Sequence, residues 1–372
     1  MNLLKKSIII LFLVLIHFQE SKAQILYDKP TLDYVLQTLD KIYNYEFAEV
    51  DPMIKQISIK YANHPVIPLL KALKLQWQYL PVKDNKVMLV QYFSLLQETI
   101  NKAQILEKNP STLPEAEFFL MSAHGYVALV HNFNDESLKA AGEARKAYGY
   151  VMKGFELMNS NFEFYLSTGM YNYYIEQYPE EHPIVRPLLI FFKDGSKELG
   201  LKQMDIATKK GVFSRTEAAY FLARIYLKHE MKFGLAAGYL QSLVEKYPQN
   251  PIYAIKYVEA LILSGKYEIA NIQVNKIRNN KSKIVELSTN VFDGMILEKE
   301  DKNDVAAENK YLLALKIPFD DEFTKEYHAF AYCGLARIYI RKNDRSKAKF
   351  YYKKASELAK YTHVIKEIKA FK

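Results

Sequence analysis

The run AYCGLARIYIRKNDRSKAKFYYKKASELA, residues 331–359, holds two apolar patterns separated by a polar turn. In the first, Tyr332, Leu335, Ala336 and Tyr339 recur at three- and four-residue spacing; in the second, Ala348, Tyr352 and Ala355 do the same. That period belongs to helices with one buried stripe. The nine-residue step from Tyr339 to Ala348 leaves room for one tight turn. Small residues let the two helices approach, and large ones fill the holes between them. The run predicts an antiparallel helical hairpin.

Working outward, Ala236, Ala270, Ala306 and Ala348 stand 34, 36 and 42 residues apart, each predicted to start the second helix of such a hairpin. A hairpin of this size cannot bury its apolar face alone, so neighbours must stack. The second good copy reads Ala219-x2-Leu222-Ala223-x2-Tyr226, then Ala236-x3-Leu240-x2-Leu243 and Pro248. Gly294, Leu297, Ala306, Leu313 and Pro318 form a weaker copy with Lys310 at the large aromatic position. Leu261, Ala270, Val274 and Ile277 form a fourth. This spacing resembles the tetratricopeptide repeat. The resemblance implies an all-α chain, a right-handed alpha-alpha superhelix (a TPR-like solenoid) of about eight antiparallel helix pairs. Residues 211–372 carry the cleaner repeats and residues 24–210 degenerate ones, read as continuous with them.

Gly and Pro number only 13 each, and no stretch reads as a strand. The hairpins are expected near 31–62, 65–107, 111–159, 161–211, 214–248, 251–280, 281–318 and 324–360, followed by a tail helix. Asn63-His64-Pro65, Tyr178-Pro179, Tyr247-Pro248-Gln249-Asn250-Pro251 and Ile317-Pro318 are predicted to halt helices. Thr112-Leu113-Pro114-Glu115 and Ser214-Arg215-Thr216-Glu217 read as helix starts with reciprocal capping.

The first 23 residues carry Lys5 and Lys6, an apolar stretch from Ser7 to Phe18, and the small-x-small sequence Ser21-Lys22-Ala23. They predict a signal peptide cleaved before Gln24, and so an exported chain, periplasmic or extracellular, with no transmembrane segment once processed. The single cysteine, Cys333, rules out an intrachain disulfide and does not stand where a lipid anchor would. The net charge is +9, or +7 without the predicted leader. Basic residues are interspersed with acidic ones, a solubility pattern that argues against nucleic acid as partner.

If the hairpins stack, Tyr220, Arg224, Lys228, Arg337 and Arg341 fall on the inner face of first helices. A planar guanidinium pairs bidentately with carboxylate, so these residues are candidates for holding an acidic or C-terminal peptide, against the plainer reading that they are solvated basic residues or pair with neighbouring glutamates. Tyr171, Tyr174 and Tyr178 fall at i, i+3 and i+7 beside Gly169, as a stacking platform or as packing between hairpins. Asp194-Gly195-Ser196 precedes a helix start that can present N–H groups to an anion or simply cap it. His124 and His131 share a helix face without a third ligand, so no metal is expected.

Phe164 to Pro251 also resembles bacterial relatives of the mitochondrial outer-membrane inclusion-clearance family. The residues concerned are Gly169-x-Tyr171-x-Tyr173-Tyr174, Tyr178-Pro179, Phe191-Phe192-x-Asp194-Gly195 and Glu217-Ala218-x-Tyr220-Phe221-Leu222. That resemblance implies no catalytic chemistry. The chain has no G-x-S-x-G, H-E-x-x-H, glycine-rich phosphate loop or paired cysteines. The sequence therefore predicts an exported, noncatalytic scaffold without a cofactor, holding a protein or peptide of the cell envelope. Sugar capture on Tyr171, Tyr173 or Trp77 is the alternative, and a groove hydrolase with two facing carboxylates comes third.

Overall fold

A computed structural model describes residues 24–184, 186–187 and 192–371; the predicted leader and Phe191 lie outside them. Among the described residues every regular element is helical. The chain divides into two compact units, with the boundary between Arg215 and Thr216.

The N-terminal unit is built from α1 (Lys29–Tyr43), α2 (Phe47–Tyr61), α3 (Val66–Gln78), α4 (Lys86–Leu106), α5 (Leu113–Phe133), α6 (Ser137–Leu157), α7 (Phe164–Glu181) and α8 (Lys197–Lys210). The C-terminal unit runs through α9 (Arg215–Ile225), a π-helical turn (Tyr226–Glu230), α10 (Phe233–Lys246), α11 (Pro251–Leu263), α12 (Tyr267–Ile277), α13 (Lys283–Lys299), α14 (Asp304–Leu315), α15 (Lys325–Arg341), α16 (Arg345–Leu358) and α17 (Thr362–Ala370). The eight predicted pairs and the tail helix are all present.

Boundary chemistry explains several of the limits. Asn250 accepts the N–H groups of Ile252 and Tyr253, and Pro251 fills the first turn of α11, where its missing N–H costs nothing. Asn85, Ser282, Asn303 and Asp344 cap α4, α13, α14 and α16 in the same way. Three expectations fail, one of them at Ser214, whose buried hydroxyl accepts no N–H at the start of α9. Pro179 does not halt α7 but sits inside its last turn, which runs on to Glu181; so close to the end, few backbone bonds are left for a proline to break. Thr112 makes no side-chain cap on α5. Its hydroxyl instead donates to the carbonyl of Leu106, and Glu115 turns inward to lie 3.6 Å from His64.

In the N-terminal unit, α7 and α8 touch backbone to backbone. A Cβ on Gly200 would lie 2.6 Å from both the Gly169 carbonyl and the Tyr173 amide, so the pair needs glycine at both positions. Glu163, 1% exposed, accepts the backbone N–H groups of Val212, Phe213 and Ser214 and so holds the turn leading out of α8. Burial raises its pKa against those bonds.

The C-terminal unit corrects the register of one repeat. In α14 the buried positions are Ala307, Tyr311 and Ala314, whereas Leu313 is 46% exposed. The motif is Ala307-x3-Tyr311-x2-Ala314, one residue later than the sequence suggests and identical to Ala348-x3-Tyr352-x2-Ala355. Tyr311 is fully buried between two glycines: a Cβ on Gly294 of α13 would meet its ring at 2.6 Å, and one on Gly334 of α15 at 2.2 Å. Lys310, expected at the aromatic position, pairs with Asp293 at 2.9 Å.

Candidate functional site

The first helices α13 and α15 end side by side, and their last turns meet the starts of α12 and α14 around a cleft of about 460 Å³. Its lining is Tyr267, Glu298, Lys299, Lys302, Asp304, Arg337 and Arg341. Two of these, Arg337 and Arg341, are residues singled out by sequence.

Neither arginine is idle. Arg337 Nε and Nη2 donate to Glu298 at 2.8 and 2.7 Å, and Nη1 donates to Glu367 of α17 at 2.8 Å. Arg341 forks onto Asp304 at 2.8 and 2.7 Å and reaches Glu298 at 3.1 Å. Tyr311 adds its hydroxyl to Glu298 at 2.8 Å. Burial pushes the Glu298 carboxyl up, but the arginines and Tyr311 outweigh it and hold it below the usual carboxylate range. The floor of the cleft is thus a satisfied lattice.

Its wall is different. Among the described residues, no carboxylate pairs with the Lys299 ammonium. Burial and the Arg337 charge lower its pKa, and the nearby Glu298 and Glu367 oppose them without prevailing. Among the described residues the hydroxyl of Tyr267, which lines the same cleft, makes no hydrogen bond, and burial raises its pKa. Lys299 and Tyr267 thus bring two donors to the lining of one cleft.

Lys299 is legible in hindsight. It stands five residues after the small residue Gly294, as Lys228 does after Ala223 and Arg341 after Ala336. One repeat position is basic three times, and two of the three, Lys228 and Arg341, are among the predicted residues.

The other predicted residues are dispersed. Tyr220 is half-buried against Tyr253, with Arg224 over its ring at 5.5 Å; burial pushes its phenol up to about 12. Lys228 lies half-buried in the π turn. In the N-terminal unit Tyr171 donates to the Lys193 carbonyl at 2.6 Å and packs on Phe155 and Tyr148. Tyr174 stands edge-on to the fully buried Tyr173, and Tyr178 covers His182. Trp77 is half-buried against Tyr43 and Tyr45. Asp194 is exposed, Ser196 caps α8, and the first N–H of that helix is taken by Glu176 at 2.6 Å. His124 and His131 pair separately with Glu143 and Glu136. Among the described residues no three His, Cys, Asp or Glu side chains converge as a metal site.

A second polar cluster lies where α17 begins. Lys256 and the Tyr327 hydroxyl each reach Glu259 at 2.7 Å, and Glu326 accepts the N–H groups of Lys360 and Tyr361. Burial raises the Glu326 pKa to about 7; those N–H groups and Lys256 oppose it, and Glu259 adds to it. Burial lowers the pKa of His363 to about 4, with Lys299 and Arg337 lowering it further and Glu259 opposing. The Glu326 contribution is present at low pH and is lost as pH rises from the ordinary carboxylate range through about 7. Glu326→Gln should therefore stabilise the chain more at about pH 8.5 than at about pH 5, by about 1–3 kcal/mol after discounting for partial exposure. Urea unfolding at the two pH values measures it, and matching profiles for variant and wild type would remove Glu326 as the source. His363 has the opposite sign: its contribution is present above about 6.5 and is lost as pH falls through about 4.

The interlock of Tyr311 with Gly294 and Gly334, and the shared Ala-x3-Tyr-x2-Ala register, decide the class. The chain is a tetratricopeptide-like helical repeat protein. No family model matches its sequence, and no curated protein does. Among solved structures it is similar to a tetratricopeptide repeat protein from Parabacteroides merdae, at 11% identity and TM-score 0.41, over 82% of this chain and 98% of that one. It is similar to yeast Tom70 at 11% identity and TM-score 0.35, covering 93% and 82%. A human IFIT1 dimer with m7Gppp-AAAA gives 14% identity and TM-score 0.34, covering 91% and 96%. The hairpin geometry of this repeat protein, not these superpositions, carries the fold.

Proposed function

We propose that this repeat protein is an exported, noncatalytic scaffold that holds a protein or peptide of the cell envelope through an acidic group docked in the α12–α15 cleft. The observation that carries the reading is Lys299, a half-buried cation without a carboxylate partner among the described residues, in a cleft that Tyr267 also lines. A ligand carboxylate entering there gains a charge-assisted bond without breaking the arginine lattice beneath. The volume suits a side chain or a chain end rather than a domain. Glu298 and Asp304, the cleft carboxylates, are locked on arginines, so neither is poised as a general acid, which supports a noncatalytic role. Export rests on the Lys5 to Ala23 pattern. Among the described residues no helix is long and apolar enough to cross a membrane.

The test is an array of dodecapeptides with and without Asp and Glu, probed with the chain from Gln24 onward and with its Lys299→Glu variant. Acidic peptides should be retained by the wild type and lose at least about tenfold in affinity on charge reversal. Retention that ignores the substitution would place binding elsewhere. Sugar capture has less support, because Tyr173 is buried and Tyr171 and Trp77 already pack edge-on against the chain's own rings.

A further inference from the structure

The tail helix α17 does more than end the chain. Tyr361, Val364 and Glu367 follow one another at three-residue steps and face inward. Lys256 donates to the Tyr361 hydroxyl at 3.1 Å, and the Tyr361 ring stands edge-on to Phe330. Val364 is 2% exposed. Glu367 takes Arg337 and, at 3.2 Å, the Tyr352 hydroxyl. On the far side His363 meets Phe233 edge-on, and Lys366 reaches the Met231 sulfur at 3.6 Å. The nine-residue helix thereby ties α15 and α16 to the turn at 231–233, three hairpins earlier in the same unit.

Its hold is narrow. Within α17 only Val364 is buried, whereas α15 buries ten residues, Tyr327 to Ala331, Cys333 to Ala336 and Ile338. A helix this short has no stability of its own and persists only while its side chains are clamped. The clamp is a carboxylate on Arg337, a guanidinium that also lines the cleft.

We propose that α17 is a strap, a ligand in cis lying where the partner's helix binds, and that the partner presents an amphipathic helix of the same pattern, aromatic-x2-aliphatic-x2-acid. This rests on the peptide-binding reading of the cleft and names the class of peptide. Partner and strap compete for Lys256, for the pocket between Phe233 and Phe330, and for Arg337. Because the strap is tethered, its effective concentration is on the order of millimolar, and a partner's apparent affinity falls by the fraction of chains with the strap released.

The test uses the chain from Gln24 onward and a fluorescein-labelled peptide of residues 359–371, with a scrambled peptide as control. Val364→Asp combined with Glu367→Lys unclamps the strap. The peptide should bind this variant at least about tenfold more tightly than wild type, and the scrambled peptide should bind neither. Capture of the acidic dodecapeptides by the wild type and its loss in Lys299→Glu test the cleft on their own, so failure of the strap and failure of the cleft reading are told apart. Equal binding to both chains, or binding to neither with the helical signal intact, overturns the strap. Should the variant not fold, hydrogen exchange on the wild type decides. Amides of α17 should exchange at least about a hundredfold faster than those of α15, and equal protection overturns the strap.

Discussion

Tyr311→Ala is expected to lower the unfolding free energy by about 3–5 kcal/mol, the range for emptying a large aromatic site in a packed interior. The ring is fully buried between Gly294 and Gly334, and neither glycine has a side chain that can move into the space. The backbones of α13 and α15 would have to close the gap, and each is fixed by its own hairpin. Removing the hydroxyl also takes one donor from Glu298. The sequence register makes the opposite claim, because it gives Lys310 the large position. Lys310→Ala should cost no more than about 1 kcal/mol, since it removes a half-exposed pair with Asp293, which keeps Arg278. Urea unfolding followed by circular dichroism separates the two cases. Trp77, the single tryptophan, lies in the N-terminal unit, so its fluorescence reports that unit alone. A small loss for Tyr311→Ala and a large one for Lys310→Ala would restore the earlier register.

Arg337→Ala should cost about 3 kcal/mol near neutral pH, the low end for orphaning a buried charge because Arg341 remains. The substitution strips Glu298 of its two shortest ion-pair bonds and releases Glu367. With the guanidinium gone, burial prevails and the Glu298 carboxyl titrates above the ordinary range instead of below it. The sign follows: the penalty is full while the carboxylate is charged and shrinks as pH falls and it takes up a proton. Adding Glu298→Gln should recover part of the loss, since a neutral amide is cheaper to leave beside one arginine. Urea midpoints at about pH 7.5 and about pH 4.5 measure both effects. A penalty that is the same at both pH values, or deepened by Glu298→Gln, would mean that Arg337 acts through its packing rather than its charge.

The site was partly legible. Arg337 and Arg341 were found from repeat position, and both line the cleft. Their engagement with Glu298, Asp304 and Glu367 was not visible, because those partners lie 30 to 43 residues away along the chain. The tyrosines at 171–178 looked like one stripe, yet one is tied to a loop carbonyl, one packs on a buried ring and one faces solvent. Helical period gives the face a residue shares but not what covers that face.

Sequence alone determined most of the elements: among the described residues there are seventeen α-helices, several of whose ends follow from Asn, Ser and Asp caps, from Pro251 and Pro318, and from alanine spacing. These are local properties, set by backbone bonds within a few residues. Tertiary structure decided three things. It chose Tyr311 over Lys310 as the residue wedged between hairpins, because two facing glycines leave a hole that only a ring fills. It left Lys299 without an ion pair among the described residues while satisfying the arginines beside it. It brought α17 back to the turn at 231–233. Each depends on which residues meet across the stack, and a one-residue change in register re-aims a helix by about 100°, which spacing along the chain does not resolve.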